Sequence, residues 1–327
     1  MTESPSSEHA CDVPYPVGQI LSLKAILNDA TPKTQSTLRE RIKRQNQPWT
    51  LSCGMIVETV EDPIELHDSA ESFLKLFDRR YAHQLRDDNG IEPWSDSMDE
   101  ELLSSVQSGK AEEFLGRLRA DKEFKEETEE DWDAAENEAF LGAEISAIFD
   151  AELSTYTKLR AYQGNLIPRL LAEVSLDTKP ASPDIDDRQH LFQVKGVLLE
   201  YLEGFSLSTM AQHAPQSSWQ DIVDQAIKIV HILGDNNILN RDIRPDNFVV
   251  VPQGGKDEDY HVFMIDFGQC RFRENESDAE WGRAKWVQDE EGAVGVVMKG
   301  MLKRAAGFQL HYEPSLRYLE WAPGEDD

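Results

Sequence analysis

Apolar residues recur with two different periods along this chain, and the change of period separates strands from helices. Short apolar runs at 51–60, 64–66 and 73–77 predict strands. From 145 to 162 apolar residues recur every three or four positions, which predicts an amphipathic helix. The inward positions of that helix are Ile145, Phe149, Glu152, Tyr156 and Leu159. One position of an otherwise apolar stripe is therefore a glutamate.

Further elements follow from the same two periods. Towards the amino terminus, a helix is predicted from about Gln35 to Gln45, with Arg39, Arg41, Lys43 and Arg44 on a solvated face. In the second half, strands are predicted at 167–174 and 192–202, a helix at 218–234, and a hairpin from 248–251 and 262–265. A buried helix is predicted at 289–298, where small and apolar residues follow an acidic start.

Charge and cysteine usage restrict the class of protein. The 62 acidic and 33 basic residues give a formal net charge of −29, which repels nucleic-acid backbones and anionic membrane surfaces. Three widely separated cysteines indicate reduced thiols, and neither a leader peptide nor a membrane span is recognisable. We therefore expect a soluble intracellular protein, cytoplasmic or nuclear, without nucleic-acid or membrane partners.

Residues 87–138 carry about half of the net charge. This segment has 19 acidic and 5 basic residues, and its apolar residues form only weak helical patterns. Such a charge density predicts a solvated, partly disordered acidic insertion.

Two short polar segments carry the candidate chemistry. In the first, Asp242, Arg244 and Asn247 lie on a link between a predicted helix and a predicted strand. Phosphoryl transfer uses these residue types: a carboxylate for the attacking hydroxyl, a cation near the transferred group, and a carbonyl oxygen for Mg²⁺. In the second, Asp266-Phe267-Gly268 follows an apolar strand, where the carboxylate of Asp266 could bind Mg²⁺.

These two segments resemble motifs of a known family. Arg241-Asp242-Ile243-Arg244-Pro245-Asp246-Asn247 resembles the catalytic loop of serine/threonine-type protein kinases, and Ile265-Asp266-Phe267-Gly268 resembles their metal-binding strand end. The chain is thus identified as a divergent member of the protein-kinase-like superfamily, similar to the small kinase-like proteins found in fungi. The resemblance implies an α+β, two-lobed fold, with a small N-lobe sheet, one key helix and a reduced, mainly helical C-lobe. The expected division is an extension at 1–48, an N-lobe at 49–203 and a C-lobe at 204–327.

The resemblance also implies roles for particular residues. Asp242 would be the catalytic base and Arg244 a charge stabiliser, while Asn247 and Asp266 would bind Mg²⁺. A lysine and a glutamate should pair to hold the phosphates of ATP, and Lys75 and Glu152 fit these roles. Independently, a glutamate on a buried helical face needs a cationic partner. Glu200 and Leu202 lie in a segment that resembles the one whose backbone binds the base of ATP.

The sequence departs from this family at three points. No G-x-G-x-x-G precedes Lys75, Asn240 replaces the histidine expected before Arg241, and only 59 residues follow Gly268. We expect an ATP- and Mg²⁺-dependent phosphotransferase acting on a serine or threonine hydroxyl of an unidentified acceptor. The alternatives are transfer to a small-molecule hydroxyl, or a catalytically silent scaffold whose acidic insertion binds basic proteins.

Overall fold

A closed antiparallel β-barrel forms the first half of the protein. The computed structural model describes residues 14–28, 35–61, 71–178, 191–254 and 259–322. Six strands form the barrel: β1 (Ile20–Leu27), β2 (Gln35–Asn46), β3 (Cys53–Glu61), β4 (Glu71–Phe77), β5 (Leu170–Asp177) and β6 (Gln193–Glu200). Their order is β1-β2-β3-β4-β6-β5, and β5 closes the barrel by pairing with β1. The predicted strand at 64–66 lies outside the described residues.

The closed barrel overturns the expected two-lobed kinase-like fold. That expectation included a small sheet built from residues after 48, and it placed no strand before this point. Instead, β1 pairs with β2 on one side and with β5 on the other, so the sheet closes on itself. The coarser description as an α+β protein is correct, and the predicted domain boundaries stay a prediction.

The predicted helix at 35–45 is wrong, because this segment is β2. Three of its basic residues follow a period of two: Arg39, Arg41 and Lys43 point outwards, while Leu38 and Ile42 are fully buried inside the barrel. Arg41 and Lys43 both form ion pairs with Glu58 on the neighbouring strand β3. Cross-strand charge pairs of this kind support a sheet and not a helix.

The acidic insertion is helical where the sequence predicts partial disorder. It contains α1 (His83–Asp88), α2 (Asp96–Ser108), α3 (Lys110–Ala120) and α4 (Phe124–Thr128), followed by the long α5 (Ala134–Lys158). The acidic side chains are mostly exposed, whereas an apolar face of each longer helix packs against α5. Among the buried residues of this cluster are Leu102, Val106, Phe114, Phe124 and Phe140.

Buried ion pairs tie this helical layer to the barrel. Glu138 on α5 is fully buried and accepts hydrogen bonds from Arg79 and Arg86, which follow β4 in the chain. Arg79 also contacts Asp99 on α2. Since a buried charge must be paired, this network fixes the position of α2 and α5 relative to the end of β4.

Helix α5 confirms the prediction made from its periodicity. All five predicted inward residues are buried, including Glu152, and the helix starts eleven residues earlier than predicted. Asp133 and Glu136 form a capping box at its amino end, which explains why the helix begins there.

Helices and short strands make up the second half. They are β7 (Phe205–Ser206), α6 (Met210–His213), α7 (Trp219–Asp235), β8 (Ile238–Asn240), β9 (Phe248–Pro252), β10 (Tyr260–Met264), β11 (Cys270–Phe272), α8 (Asp278–Gln288) and α9 (Gly292–Ala306). The predicted hairpin is confirmed as β9 and β10, with β7 on its other edge, and β8 pairs with β11. The helix predicted at 218–234 is confirmed as α7. In the part of the chain that the structure describes, no helix has the length and apolarity needed to cross a lipid bilayer.

Candidate functional site

Strand β4 places Lys75 at the centre of a cluster of charged side chains. Lys75 lies opposite Gly54 on β3 and Val197 on β6, and only 9% of its side chain is exposed. Its Nζ atom is 2.9 Å from Glu152 Oε2 and 2.9 Å from Asp266 Oδ1. Burial by itself would lower the pKa of Lys75, but the two carboxylates outweigh it and raise that pKa. Lys75 therefore stays charged.

Glu152 reaches this cluster from α5 and is fully buried. Its Oε2 atom also accepts a hydrogen bond of 2.8 Å from the backbone N–H of Phe267. Within the described residues its Oε1 atom has no hydrogen-bond partner. Burial raises the pKa of Glu152 above its ordinary value, and the Lys75 ammonium opposes this rise.

Asp266 adopts a left-handed backbone conformation, with φ of 67°. This conformation is uncommon outside glycine, although aspartate and asparagine tolerate it best. The Asp266 side chain is 41% exposed, in contrast to its two partners. Burial would raise the pKa of Asp266, but the adjacent Lys75 ammonium holds it below the ordinary value. Asp266 is thus an accessible carboxylate that is ionised at neutral pH.

Asp242 lies in the turn after β8 and is fixed by the turn itself. The Asn247 amide donates to the backbone oxygen of Asp242 at 2.7 Å and to its Oδ2 atom at 3.1 Å. Arg244 contacts the same Oδ2 atom at 3.4 Å, and its own side chain is half exposed. These contacts orient the carboxylate while leaving a quarter of the Asp242 side chain open to solvent.

Asn240 connects the segment that contains Asp242 with the segment that contains Asp266. Its Oδ1 atom accepts a hydrogen bond from the backbone N–H of Asp242 at 2.8 Å, and its Nδ2 atom donates to the backbone oxygen of Asp266 at 3.3 Å. In addition, the backbone N–H of Ile265 donates to the backbone oxygen of Asn247 at 2.9 Å. The segments are therefore side by side, although 19 residues separate Asn247 from Asp266 in the chain.

Asn247 and Asp266 offer oxygen ligands that suit Mg²⁺. Asn247 is buried, the contact recorded for its Oδ1 atom among the described residues is one of 3.5 Å from Arg244, and the Asp266 side chain is partly exposed. Mg²⁺ often binds one or two protein oxygens and completes its shell with phosphates and water. No group of three or more His, Cys, Asp or Glu side chains is placed to hold a metal within the described residues. An Asp–Asn pair does not need such a group, so these residues fit Mg²⁺ that arrives with a phosphate ligand.

Glu200 and Leu202 lie apart from the charged cluster. Glu200 is the last residue of β6, three positions beyond the partner of Lys75, which corresponds to about 10 Å along a strand. Its carboxylate accepts a hydrogen bond of 3.1 Å from the backbone N–H of Arg169. Leu202 is half-buried in the segment between β6 and β7. Their role at the base of ATP stays a prediction.

Glu290 supports the site and was not found from the sequence. Its Oε1 atom accepts a hydrogen bond of 2.8 Å from the backbone N–H of Asn240, and its other oxygen pairs with Lys285. Glu290 is 3% exposed, yet it lies between Asp289 and Glu291. An acidic run of this kind predicts a solvated surface, so the sequence carries no signal for the buried member.

Comparisons with known proteins do not support a family assignment. No protein-family model matches the chain, and no curated protein matches it. Together with the closed six-stranded barrel, this overturns the identification of the chain as a member of the protein-kinase-like superfamily. The contacts among Lys75, Glu152 and Asp266 do not depend on that identification, since they are distances within this molecule.

Proposed function

We propose that this protein is an ATP- and Mg²⁺-dependent phosphotransferase with a hydroxyl acceptor. The observation that carries the proposal is the convergence of a buried, charged Lys75 with an accessible Asp266, next to an oriented Asp242. A cation fixed beside oxygen ligands for a metal suits a polyphosphate, because both neutralise phosphate charge. The Asp242 carboxylate is a candidate base for an incoming hydroxyl.

In the proposed reaction, the acceptor oxygen attacks the γ-phosphorus and the bond to the β–γ bridging oxygen breaks. ADP leaves with the electron pair of that bond, and Asp242 takes the proton of the acceptor hydroxyl. Lys75 holds the phosphates, with Glu152 fixing its position, and Arg244 stabilises charge on the transferred group. Bound between Asp266 and Asn247, Mg²⁺ would neutralise charge on the phosphates.

Thermal unfolding with saturating ATP, with and without Mg²⁺, tests the nucleotide site. Ligand at 100 times its dissociation constant adds about 2.7 kcal/mol, which shifts the melting temperature by roughly 5 °C for a chain of this size. The shift should require Mg²⁺, disappear in Asp266→Asn and persist in Asp224→Asn. Asp224 is an exposed aspartate on α7 and serves as the matched control. No shift in the wild-type protein would overturn the proposal.

The acceptor is the next question once nucleotide binding is established. A serine or threonine hydroxyl of a protein is the leading candidate, and a small-molecule hydroxyl is the alternative. Phosphate transfer to generic basic peptides, or to the protein itself, would favour the first when it is abolished in Asp242→Asn. Turnover of ATP only with small polyols or sugars would favour the second.

A scaffold that binds nucleotide without turnover is a second candidate. One feature of the barrel favours it: the turn between β2 and β3, which ends beside Lys75, contains no glycine, and its Trp49 is buried. Such a turn offers less free backbone to phosphates than a glycine-rich one. Mg²⁺-dependent ATP binding without any transfer or hydrolysis would support the scaffold.

A further inference from the structure

A cavity lies in the C-terminal half, away from the charged cluster. It has a volume of about 390 Å³ and is lined by α7, α8, the α8–α9 turn and the segment that follows α9. Neither Lys75, Glu152, Asp242 nor Asp266 lines it. A cavity of this size is within the range of small-molecule sites.

Aromatic side chains form much of its wall. Trp286 on α8 faces the cavity together with Tyr312 and Tyr318, and Val230 on α7 adds an aliphatic surface. Rings of this kind bury the apolar body of a ligand, and their faces attract cations.

The basic groups at the cavity are already matched by acids. Lys285 pairs with Glu290, Arg317 pairs with Asp235, and His231 Nε2 lies 2.9 Å from Glu291 Oε2. An anionic ligand would have to compete with these carboxylates. The cavity therefore offers no free cation for an anion, as far as the described residues show.

One carboxylate at the cavity has no basic side chain paired with it in the ion pairs of the described residues. Asp289 lines the cavity, and the contact recorded for its carboxylate is a hydrogen bond of 3.1 Å from the backbone N–H of Gly292. The Tyr312 side chain is 8% exposed, and its hydroxyl lies near the Glu291 carboxylate, but no hydrogen bond of normal geometry to it is present within the described residues. A carboxylate and a phenol oxygen together suit a ligand that donates hydrogen bonds and carries positive charge.

The cavity is connected to the Asp242 segment by one buried ion pair. Lys285 and Glu290 both line the cavity, and Glu290 Oε1 accepts the backbone N–H of Asn240 at 2.8 Å. Asn240 in turn holds the backbone N–H of Asp242 and the backbone oxygen of Asp266. A ligand that restrains Glu290 would therefore restrain both the Asp242 segment and the Asp266 segment.

We propose that this cavity is a binding site for a small organic cation with an apolar body, and that its occupation stabilises the Asp242 and Asp266 segments through Glu290 and Asn240. The site does not depend on the proposed phosphotransferase activity, because none of its residues belongs to the charged cluster.

Titration calorimetry of three near-isosteric probes tests the chemical class. Phenethylamine, 2-phenylethanol and phenylacetate share one apolar body and differ in charge. At constant ionic strength and pH 7.5, the amine should bind about tenfold more tightly than the alcohol, and the anion should bind least. Equal binding of amine and alcohol, or tightest binding of the anion, would overturn the proposal.

Matched variants separate the cavity from general attraction to an acidic protein. Asp289→Asn keeps the contact to Gly292 and removes one charge, so it should lower the affinity for the amine about fivefold and leave the affinity for the alcohol unchanged. Trp286→Ala should lower the affinity for both probes, because it removes an aromatic wall of the cavity. Glu313→Gln removes one charge at an exposed position next to Tyr312 but outside the cavity wall, and it should change neither. Equal losses in Asp289→Asn and Glu313→Gln would show non-specific charge attraction and refute the site.

Hydrogen exchange tests the connection without any nucleotide. Saturating phenethylamine should slow exchange at the backbone amides of Asn240 and Asp242, while amides of β1 and β2 stay unchanged. Unchanged exchange at Asn240 in the presence of a bound amine would refute the connection between the cavity and the Asp242 and Asp266 segments.

Discussion

Lys75 and Glu152 are 77 residues apart in the chain, yet their Nζ and Oε2 atoms are 2.9 Å apart, and both side chains are buried. One residue comes from a barrel strand and the other from the helix α5. The pair therefore fixes the helix against the barrel at the point where Asp266 also arrives. Disrupting the pair should lower the free energy of unfolding and also disturb the candidate site.

Removing the charge of Glu152 should destabilise the protein strongly. In Glu152→Gln the buried Lys75 ammonium keeps only Asp266 as a counterion, and loss of one partner of a buried ion pair costs about 3–5 kcal/mol. Urea unfolding measures the change in the free energy of unfolding. Glu144→Gln, at an exposed position of the same helix, is the control and should change it by less than about 0.5 kcal/mol.

Combining Glu152→Gln with Lys75→Met should cost less than the sum of the two single changes. Each single change deprives one buried charge of a partner, whereas the double variant leaves neither Lys75 nor Glu152 charged, so we expect a coupling free energy of at least about 1 kcal/mol. Strict additivity in the urea experiments would contradict a direct ion pair between these side chains.

The ionised form of Asp266 should stabilise the protein only above a certain pH. The Lys75 ammonium lowers the pKa of Asp266 in the folded protein, so the unfolded state binds its proton first as the pH falls. The stabilisation is complete above the pKa of about 3.9 that aspartate has in the unfolded state, and it is lost as the pH falls through the lower pKa of the folded state. The difference in unfolding free energy between wild type and Asp266→Asn should thus be constant from pH 7 to about pH 5 and shrink below about pH 4. A difference that grows on acidification would contradict this linkage.

The backbone of Asp266 should make alanine a worse substitute than asparagine. At φ of 67° a Cβ-bearing residue is strained by about 1–2 kcal/mol, and asparagine offsets part of this through its short polar side chain. Asp266→Ala should therefore unfold at lower urea concentration than Asp266→Asn. At Asp224 on α7 the order should reverse, because alanine is the better residue in a helix. The same order at both positions would argue against a strained Asp266.

Much of the candidate site could be predicted because burial imposes a period on α5. Glu152 occupies an inward position between Phe149 and Tyr156, and a helix of 3.6 residues per turn places these side chains on one face. A glutamate on that face needs a cation, and Lys75 has apolar neighbours on both sides. The local pattern predicts a buried Glu152 that needs a cation, and the resemblance to kinase motifs is what points to Lys75 as that cation.

Closure of the barrel could not be predicted in the same way. Pairing of β1 with β5 joins residues 20–27 to residues 170–177, and no local pattern specifies so distant a partner. In β2 the buried Glu40 interrupts the apolar alternation between Leu38 and Ile42, so the sequence shows no clear period of two there. The high charge density of the acidic insertion predicts solvation, and the sparse apolar residues that α5 covers form only weak helical patterns in the sequence.

Two glycines, one on α9 and one on the helical acidic insertion, should respond to alanine in opposite directions. A Cβ on Gly295 of α9 would lie 2.3 Å from the Tyr312 ring, so the C-terminal segment would have to move. Overpacking of this kind costs about 1–3 kcal/mol.

Gly116 on α3 meets no atom within 4 Å of the added Cβ. Gly116→Ala should therefore stabilise the protein by up to about 1 kcal/mol through helix propensity, provided that the acidic insertion is helical. Urea unfolding and far-ultraviolet circular dichroism of both variants measure these changes. A neutral Gly116→Ala would indicate that α3 is not a formed helix in solution, and a neutral Gly295→Ala would show that Tyr312 does not pack on α9.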